Sequence, residues 1–146
     1  MQKTLFVLRI AIGWLMLYAG WEKISAAHFS AAGYLKGAQS LTGLYSWFAQ
    51  PGNIGWVSFL VEWGLLLIGI ALIIGAVVRL ASVLAAVMMV LFYFPILTFP
   101  HVGANYFIVD DHVIFFVVFV LLAIAHAGRF WGLDKKLQHT ALRSLT

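Results

Sequence analysis

Residues 54–78 have the sequence IGWVSFLVEWGLLLIGIALIIGAVV, in which Glu62 is the one charged side chain. A helix needs roughly 20 consecutive apolar residues to cross the hydrocarbon core of a bilayer. The apolar residues run continuously and do not alternate with polar ones, so a helix is favoured over a strand. In lipid, only helices and closed barrels satisfy their own backbone hydrogen bonds. The segment therefore predicts a membrane-spanning helix.

Three further apolar stretches have similar length. The chain of 146 residues is 64% hydrophobic and 10% charged, whereas soluble domains are typically about 45–50% apolar and about 25% charged. We therefore expect an all-α integral membrane protein, folded as a single domain (residues 1–146) with a four-helix transmembrane bundle. The predicted spans are residues 4–21, 54–78, 80–99 and 106–127. The first is interpreted as a retained span and not as a signal peptide, because Arg9 interrupts its apolar run.

Lysine and arginine are concentrated on one side of the predicted spans, which the positive-inside rule assigns to the cytoplasm. With four spans both termini lie on that side, and the predicted location is the inner (cytoplasmic) membrane. Residues 132–146 then form a basic cytoplasmic tail. The net charge of +4 is explained by this orientation and does not indicate a nucleic-acid partner. The basic residues on the cytoplasmic side are Lys3, Arg79, Arg129, Lys135, Lys136 and Arg143.

The predicted outer loop between the first two spans runs from Ser25 to Asn53 and is too long for a simple turn. Its middle, residues 34–50, carries spaced leucine and aromatic side chains. This pattern is typical of a short amphipathic or re-entrant helix on the outer surface. An ordered loop with interfacial aromatic side chains explains it equally well. Pro51-Gly52-Asn53 marks a turn into the second span.

Two ionisable residues lie well inside predicted spans, where charges are costly and usually face other helices. Arg9 shares a helical face with Gly13 and Gly20, and Glu62 shares one with Gly69. Because glycine lets a neighbouring helix approach closely, both faces should point into the bundle. A contact between Arg9 and Glu62, direct or through water, would lower the cost of both charges. Such a pair is either structural or part of a ligand site.

Further polar residues are expected at the outer ends of the first and fourth spans. This group suits proton relay or the binding of a polar head group, but it also fits a wet interface, and acidic residues at a helix start complement the helix dipole. No pair has the spacing of a helical metal site such as H-E-x-x-H, so no metal is predicted. The members are Glu22, Lys23, His28, His101, Asp110, Asp111 and His112.

The chain contains no cysteine, which excludes disulfides, thiolate metal ligands and iron–sulfur clusters. Redox chemistry would therefore need a bound cofactor, a diffusible one such as a quinone, or a partner subunit. Most aromatic residues lie near the expected interfaces, where anchoring explains them. A few could form the flat, apolar walls of a quinone pocket, and Trp21, Trp63 and Phe94 are the candidates.

Several landmarks occur in an ordered pattern along the chain. They are Arg9 and Gly20-x-x-Lys23 in the first span, Glu62 in the second, residues 75–81 (GAVVRLA), His112, and residues 128–134 (GRFWGLD). In this order the sequence resembles the DoxX/DoxD family of small four-helix membrane proteins over nearly its whole length. The resemblance implies a four-helix membrane bundle. The best-defined activity in the family belongs to the DoxD-type large subunit of thiosulfate:quinone oxidoreductase, which couples two thiosulfates into tetrathionate and passes the electrons to a quinone.

The resemblance and the residues together support two hypotheses. In the first, the chain is a quinone-dependent redox subunit whose ligand site opens toward the outer half of the bundle above Glu62. In the second, it is a non-catalytic accessory subunit packed against a larger respiratory or other membrane complex. The expected partners are the lipid bilayer, a small second subunit or larger complex, or further copies of this chain as a homo-oligomer. For the redox hypothesis, the candidate catalytic residues are Glu62, Asp111 and His112, and the candidate quinone-binding residues are Arg9, Trp21, Lys23 and Trp63.

Overall fold

A computed structural model describes residues 1–26 and 28–137, and the chain in it is mostly helical. The basic tail predicted for residues 132–146 is therefore described only as far as residue 137. Single turns of 3-10 helix follow the fifth and sixth helices, at Phe94–Ile96 and Ala127–Arg129. In chain order the helices are α1 (Gln2–Ser25), α2 (Ala32–Lys36), α3 (Thr42–Phe48), α4 (Ile54–Ile74), α5 (Val78–Tyr93), α6 (Asp111–Ile124) and α7 (Asp134–Leu137).

Three helices in the described part of the chain are long and apolar enough to cross a membrane: α1, α4, and α5 with its 3-10 extension to Ile96. Helix α6 is also apolar but has 14 residues, which is about 21 Å at 1.5 Å per residue. The predicted start of a fourth span at residue 106 is wrong. The side chain of Asp110 caps α6 by accepting a hydrogen bond from the backbone N–H of Val113 at 3.2 Å, so the helix begins only at Asp111.

The residues between α5 and α6 form a small antiparallel sheet with the order β1-β2-β3. Its strands are β1 (Leu97–Thr98), β2 (His101–Val102) and β3 (Tyr106–Phe107). The predicted third span, residues 80–99, therefore extends too far at its C-terminal end, into strand β1. Helix α5 ends at Tyr93 because Pro95 has no backbone N–H to continue the helical hydrogen bonds.

The carbonyl groups freed at the end of α5 are covered by the loop between α1 and α4. In a continuous helix the Leu91 carbonyl would accept from residue 95, which is proline. Tyr45 replaces that donor, since its hydroxyl donates to the Leu91 carbonyl at 2.9 Å. The Tyr34 hydroxyl donates to the neighbouring Phe92 carbonyl. The loop is thus ordered and contains two short helices, α2 and α3, where one amphipathic or re-entrant helix or an ordered loop with interfacial aromatic side chains was predicted.

Helix α1 packs against α4 along a glycine-lined seam, and α5 packs against both α4 and α6. A Cβ atom added to Gly20 would lie 2.8 Å from the Leu66 Cα, and one added to Gly69 would lie 2.6 Å from the Leu17 Cα. The two backbones are therefore in direct contact there, as the glycine faces predicted. The core beside this seam consists of apolar side chains from all four long helices, among them Met16, Leu65, Leu72, Ala85, Met89, Phe119 and Leu122.

The long helices run alternately up and down, so the molecule has two distinct ends. The N-terminal end contains the start of α1, the turn from α4 to α5, and the end of α6. The loop end contains residues 26–53 and 94–110.

Candidate functional site

A groove with a volume of about 650 Å³ lies between α5 and α6. Its walls are almost entirely apolar, whereas three polar side chains, Arg79, Ser82 and His126, lie in its lining. Arg79 is the second residue of α5 and His126 follows the end of α6, so both lie at the N-terminal end. Apolar residues along its length include Ala86, Val87 and Val90 from α5 and Phe116 and Val120 from α6. The groove is therefore polar at the N-terminal end of the molecule and apolar along the rest of its length.

Two of the polar side chains have hydrogen-bonding capacity left for a ligand. The Ser82 hydroxyl is buried and has no hydrogen-bond partner among the described residues, which is costly for a polar group. The Nδ1 atom of His126 lies 2.9 Å from the Ile124 carbonyl oxygen. Because a carbonyl only accepts, Nδ1 must carry a hydrogen. The Nε2 atom then accepts a hydrogen bond in the neutral ring and donates one in the protonated ring.

Arg9 is fully buried at the N-terminal end, where it binds the chain that follows α6. Its Nη1 atom donates to the carbonyls of Ala127 at 2.7 Å and Phe130 at 3.1 Å, and Nη2 donates to Trp131 at 3.3 Å. The guanidinium carbon lies 5.2 Å from the centre of the Phe6 ring, close enough for a cation–π contact. Arg9 therefore holds three backbone carbonyls of the chain that follows α6, one in the 3-10 turn and two just beyond it.

Asp134 is the second fully buried charged residue at this end. Its two carboxylate oxygens accept from the backbone N–H groups of Val77 at 2.5 Å and Val78 at 3.0 Å. Val78 is the first residue of α5, so a residue 56 positions away in the sequence caps this helix. The positive end of the α5 dipole also stabilises the carboxylate.

Two glycines lie between the buried arginine and the buried aspartate. The backbone N–H of Asp134 donates to the Gly75 carbonyl at 2.8 Å. A Cβ atom on either Gly75 or Gly132 would lie 2.9 Å from Arg9 Nη1, and one on Gly75 would lie 2.6 Å from the Gly132 Cα. Side chains at Gly75 and Gly132 would push the end of α4, the chain around Gly132 and the Arg9 side chain apart. We call Arg9, Gly75, Gly132 and Asp134 the clamp.

A smaller polar cluster lies at the loop end. Asp110 is 3% exposed, and its carboxylate lies 2.6 Å from Nδ1 of His112. The His112 ring packs edge-on against Phe92 at 6.2 Å. Partial burial raises the pKa of Tyr34 to about 12, and Tyr45 and Asp110 add to the shift. The Tyr34 hydroxyl therefore stays protonated as the donor to Phe92. This cluster holds the loop, α5 and α6 together.

The predicted contact between Arg9 and Glu62 is wrong. Arg9 donates its hydrogen bonds to the chain after α6, whereas Glu62 is half-buried at the level of Gly20, whose added Cβ would lie 3.0 Å from the Glu62 carbonyl. Arg9 and Gly20 are eleven residues apart on α1, or about 16 Å at 1.5 Å per residue. The spacing of glycines correctly placed Arg9 on a packing face, whereas Glu62 is only half-buried and lies at a different depth.

The other predicted quinone-binding residues lie far from Arg9. Trp21 and Trp63 are 58% and 41% exposed and face outward, and Lys23 donates to the Ala19 carbonyl at 3.3 Å. None of the predicted catalytic or quinone-binding residues lines the groove, so it does not open above Glu62 as expected.

Of the predicted polar group at the loop end, Asp110 and His112 are brought together, whereas Glu22, His28, His101 and Asp111 are exposed. Proton transfer by Glu62, Asp111 or His112 stays a prediction.

Sequence reasoning missed the groove residues Ser82 and His126 and the burial of Asp134, and it interpreted Arg79 only as a basic residue of the cytoplasmic side. A signal for Asp134 was present in the segments 75–81 and 128–134, which supported the resemblance and which the clamp brings together. Glycine pairs beside a lone carboxylate indicate a close backbone contact. The unpaired hydroxyl of Ser82 had no such signal, since serine on an apolar helix commonly bonds to its own backbone.

Comparison with known proteins gives one match. A family model described as DoxX matches residues 4–98. No curated protein and no solved structure matches the chain significantly. The matched region covers α1 to the start of the small sheet, including Arg9, Gly75 and the α5 side of the groove.

Proposed function

Because the chain belongs to the DoxX family and is a multi-pass membrane protein with three helices of spanning length, we propose that it is a membrane redox subunit that binds a quinone between α5 and α6. The proposed reaction transfers electrons from a small reductant, such as thiosulfate, to that quinone. It makes the protein a quinone-dependent oxidoreductase subunit of the DoxX/DoxD type.

The observation that carries this proposal is the groove. A membrane quinone has a flat head with two carbonyl oxygens and a long apolar tail, and its site needs apolar walls with a few polar groups at the head. The groove has this arrangement, with Arg79, Ser82 and His126 at one end and apolar side chains along the rest. The head group would lie at the N-terminal end, and the tail would follow Ala86, Val90 and the facing residues of α6.

The proposed chemistry balances without a metal or a thiol in the chain. Joining two thiosulfate dianions into tetrathionate forms one S–S bond and releases two electrons. The quinone takes up these two electrons and two protons to become a quinol. His126, whose Nδ1–H is engaged by a carbonyl, supplies one proton through Nε2 when its ring is protonated, and water at the exposed polar end of the groove supplies the second. Arg79 is exposed at the groove and provides the cation that an anionic reductant needs.

The same proposal includes a fourth membrane span. Helix α6 is apolar, packs along α5, and is followed after His126 by a separate 3-10 turn at Ala127–Arg129. A helix shorter than the bilayer thickness is accommodated by local thinning of the bilayer or by flanking residues that reach the interface. Four spans place both termini on the same face, and the excess of lysine and arginine there favours the cytoplasmic face of the inner membrane.

The test compares two equally exposed positions of α5. Val87 lines the groove, whereas Leu84 does not, and the two side chains are 52% and 50% exposed. Val87→Trp should fill the groove and weaken binding of a short-chain quinone at least tenfold, and Leu84→Trp should bind it like the parent. The measurements are quinone binding to the purified protein in lipid nanodiscs, and quinone reduction with thiosulfate as donor.

Two results would count against the proposal. If the parent neither contains extractable quinone nor binds an added one, the redox function is wrong, and an accessory role beside a larger complex becomes the better explanation. The exposed side chains of Phe99 and Phe107 at the loop end, 81% and 65% exposed, would then be the place to look for that complex. If the two tryptophan variants bind quinone equally, the site is not the groove.

A further inference from the structure

We infer that Arg9 and Asp134 are positioning residues for the polar end of the groove, an inference that rests on the quinone site proposed above. Neither residue lines the groove. Each one fixes the backbone next to a side chain that does. The clamp thereby determines where Arg79 and His126 stand relative to a quinone head group.

Asp134 determines the position of Arg79. The carboxylate binds the N–H groups of Val77 and Val78, and Arg79 is the next residue. Val77 has φ 47°, a left-handed conformation that is strained for a β-branched side chain. Such a conformation persists only where surrounding contacts hold it. The two hydrogen bonds that the Asp134 carboxylate accepts are those contacts, and they set the direction in which α5 starts.

Arg9 determines the position of His126 in the same way. His126 also has a positive φ, 46°, and the next residue is Ala127, whose carbonyl accepts the 2.7 Å hydrogen bond from Arg9. The further bonds to Phe130 and Trp131 hold the chain after the turn. Two strained residues therefore flank the polar end of the groove, and each is held by one charged member of the clamp.

The two halves of the clamp act as one unit. Asp134 binds the Gly75 carbonyl through its backbone N–H, and both Gly75 and Gly132 lie against Nη1 of Arg9. Opposite charges buried in the same region also offset the cost of burying either one. A change at either charged residue should consequently loosen both Arg79 and His126.

Two mild substitutions test the inference. Asp134→Asn keeps the shape of the side chain but replaces one acceptor oxygen with a donor. Arg9→Lys keeps the charge but loses the planar fork that reaches several carbonyls. Each variant should raise the Kd for a short-chain quinone about tenfold or more. Arg129→Lys, at an exposed arginine beside the clamp, is the matched control and should leave the Kd unchanged.

The Kd separates positioning from simple loss of fold. Partial unfolding raises the apparent Kd only in inverse proportion to the folded fraction, about twofold for a half-folded variant, so a tenfold rise in a variant that is mostly folded by thermal unfolding reports the site itself. Hydrogen exchange measured by mass spectrometry supplies a second measurement that needs no quinone. It should increase in residues 76–82 and 125–131 of the variants and not in α1. If only one of the two variants folds, that variant is sufficient for both measurements.

Each outcome has a distinct meaning. Faster local exchange together with a raised Kd supports the inference. If folded Asp134→Asn and Arg9→Lys bind quinone with the Kd of the parent, the positioning role is wrong and the quinone site stays intact. Unchanged hydrogen exchange in both segments would likewise contradict the positioning role and leave the quinone site intact. A parent that binds no quinone removes the proposed function itself, and the positioning role falls with it.

Discussion

Tyr45 illustrates how a single side chain can complete a helix that its own sequence interrupts. It is 2% exposed and donates to the Leu91 carbonyl, which Pro95 cannot satisfy. Tyr45→Phe leaves that carbonyl without its donor, which should lower the free energy of unfolding by about 1–3 kcal/mol. Tyr18→Phe is the control, because Tyr18 is 55% exposed. Thermal unfolding in one detergent compares them, and equal stability of the two variants would contradict this role for Tyr45.

The burial of a single residue was predicted well where the spacing of residues on its own helix determines it. It was predicted poorly where segments that are distant in sequence come into contact. The interior position of Arg9 followed from Gly13 and Gly20 on its own helix. Its partners did not, because the nearest carbonyl it binds is 118 residues away. Asp134 resembled a solvated residue of a basic tail, and only its approach to the start of α5 makes it a buried cap. The periodicity of one segment contains no information on its contacts with segments that are distant in the sequence.

At the scale of single helices, the seam between α1 and α4 is the most restrictive contact. A Cβ atom on Gly69 would lie 2.6 Å from the Leu17 Cα, whereas one on Gly64, in the same helix, would meet only the flexible Met88 side chain at 3.5 Å. Gly69→Ala should therefore destabilise the protein by about 1–3 kcal/mol through overpacking. Gly64→Ala should be neutral or stabilising, since alanine favours helix. Unfolding of both variants under identical conditions checks this, and similar losses would refute the close contact.

The helices themselves were predicted better than their ends. Continuous apolar runs located α1, α4 and α5, because length and hydropathy decide whether a segment can span a membrane. Runs of apolar residues also extended into the sheet on both sides, at Leu97–Thr98 and Tyr106–Phe107. There the limits are set by Pro95, which lacks a donor, and by Asp110, which caps α6. Hydropathy does not register either effect.

At the scale of the whole molecule, the orientation in the membrane decides which side of the membrane can supply protons and reductant to the groove. Its polar end lies at the N-terminal end, which in the orientation proposed from the excess of lysine and arginine faces the cytoplasm. The chain has no cysteine, so an introduced one is the sole thiol. Gln2 and Gln50 are both exposed, at the N-terminal end and the loop end. We therefore predict that Gln2→Cys and Gln50→Cys label from opposite sides.

The labelling uses a membrane-impermeant maleimide on intact cells, with permeabilised cells showing that each thiol is reactive. Gln50→Cys should react in intact cells, and Gln2→Cys should react only after permeabilisation. Labelling of both from outside would mean that α1 does not cross the membrane. The reversed pattern would place Arg79 and His126 on the outer face, so that quinone reduction would draw protons from outside. In the predicted orientation the protons come from the cytoplasm, because the groove is polar only at that end.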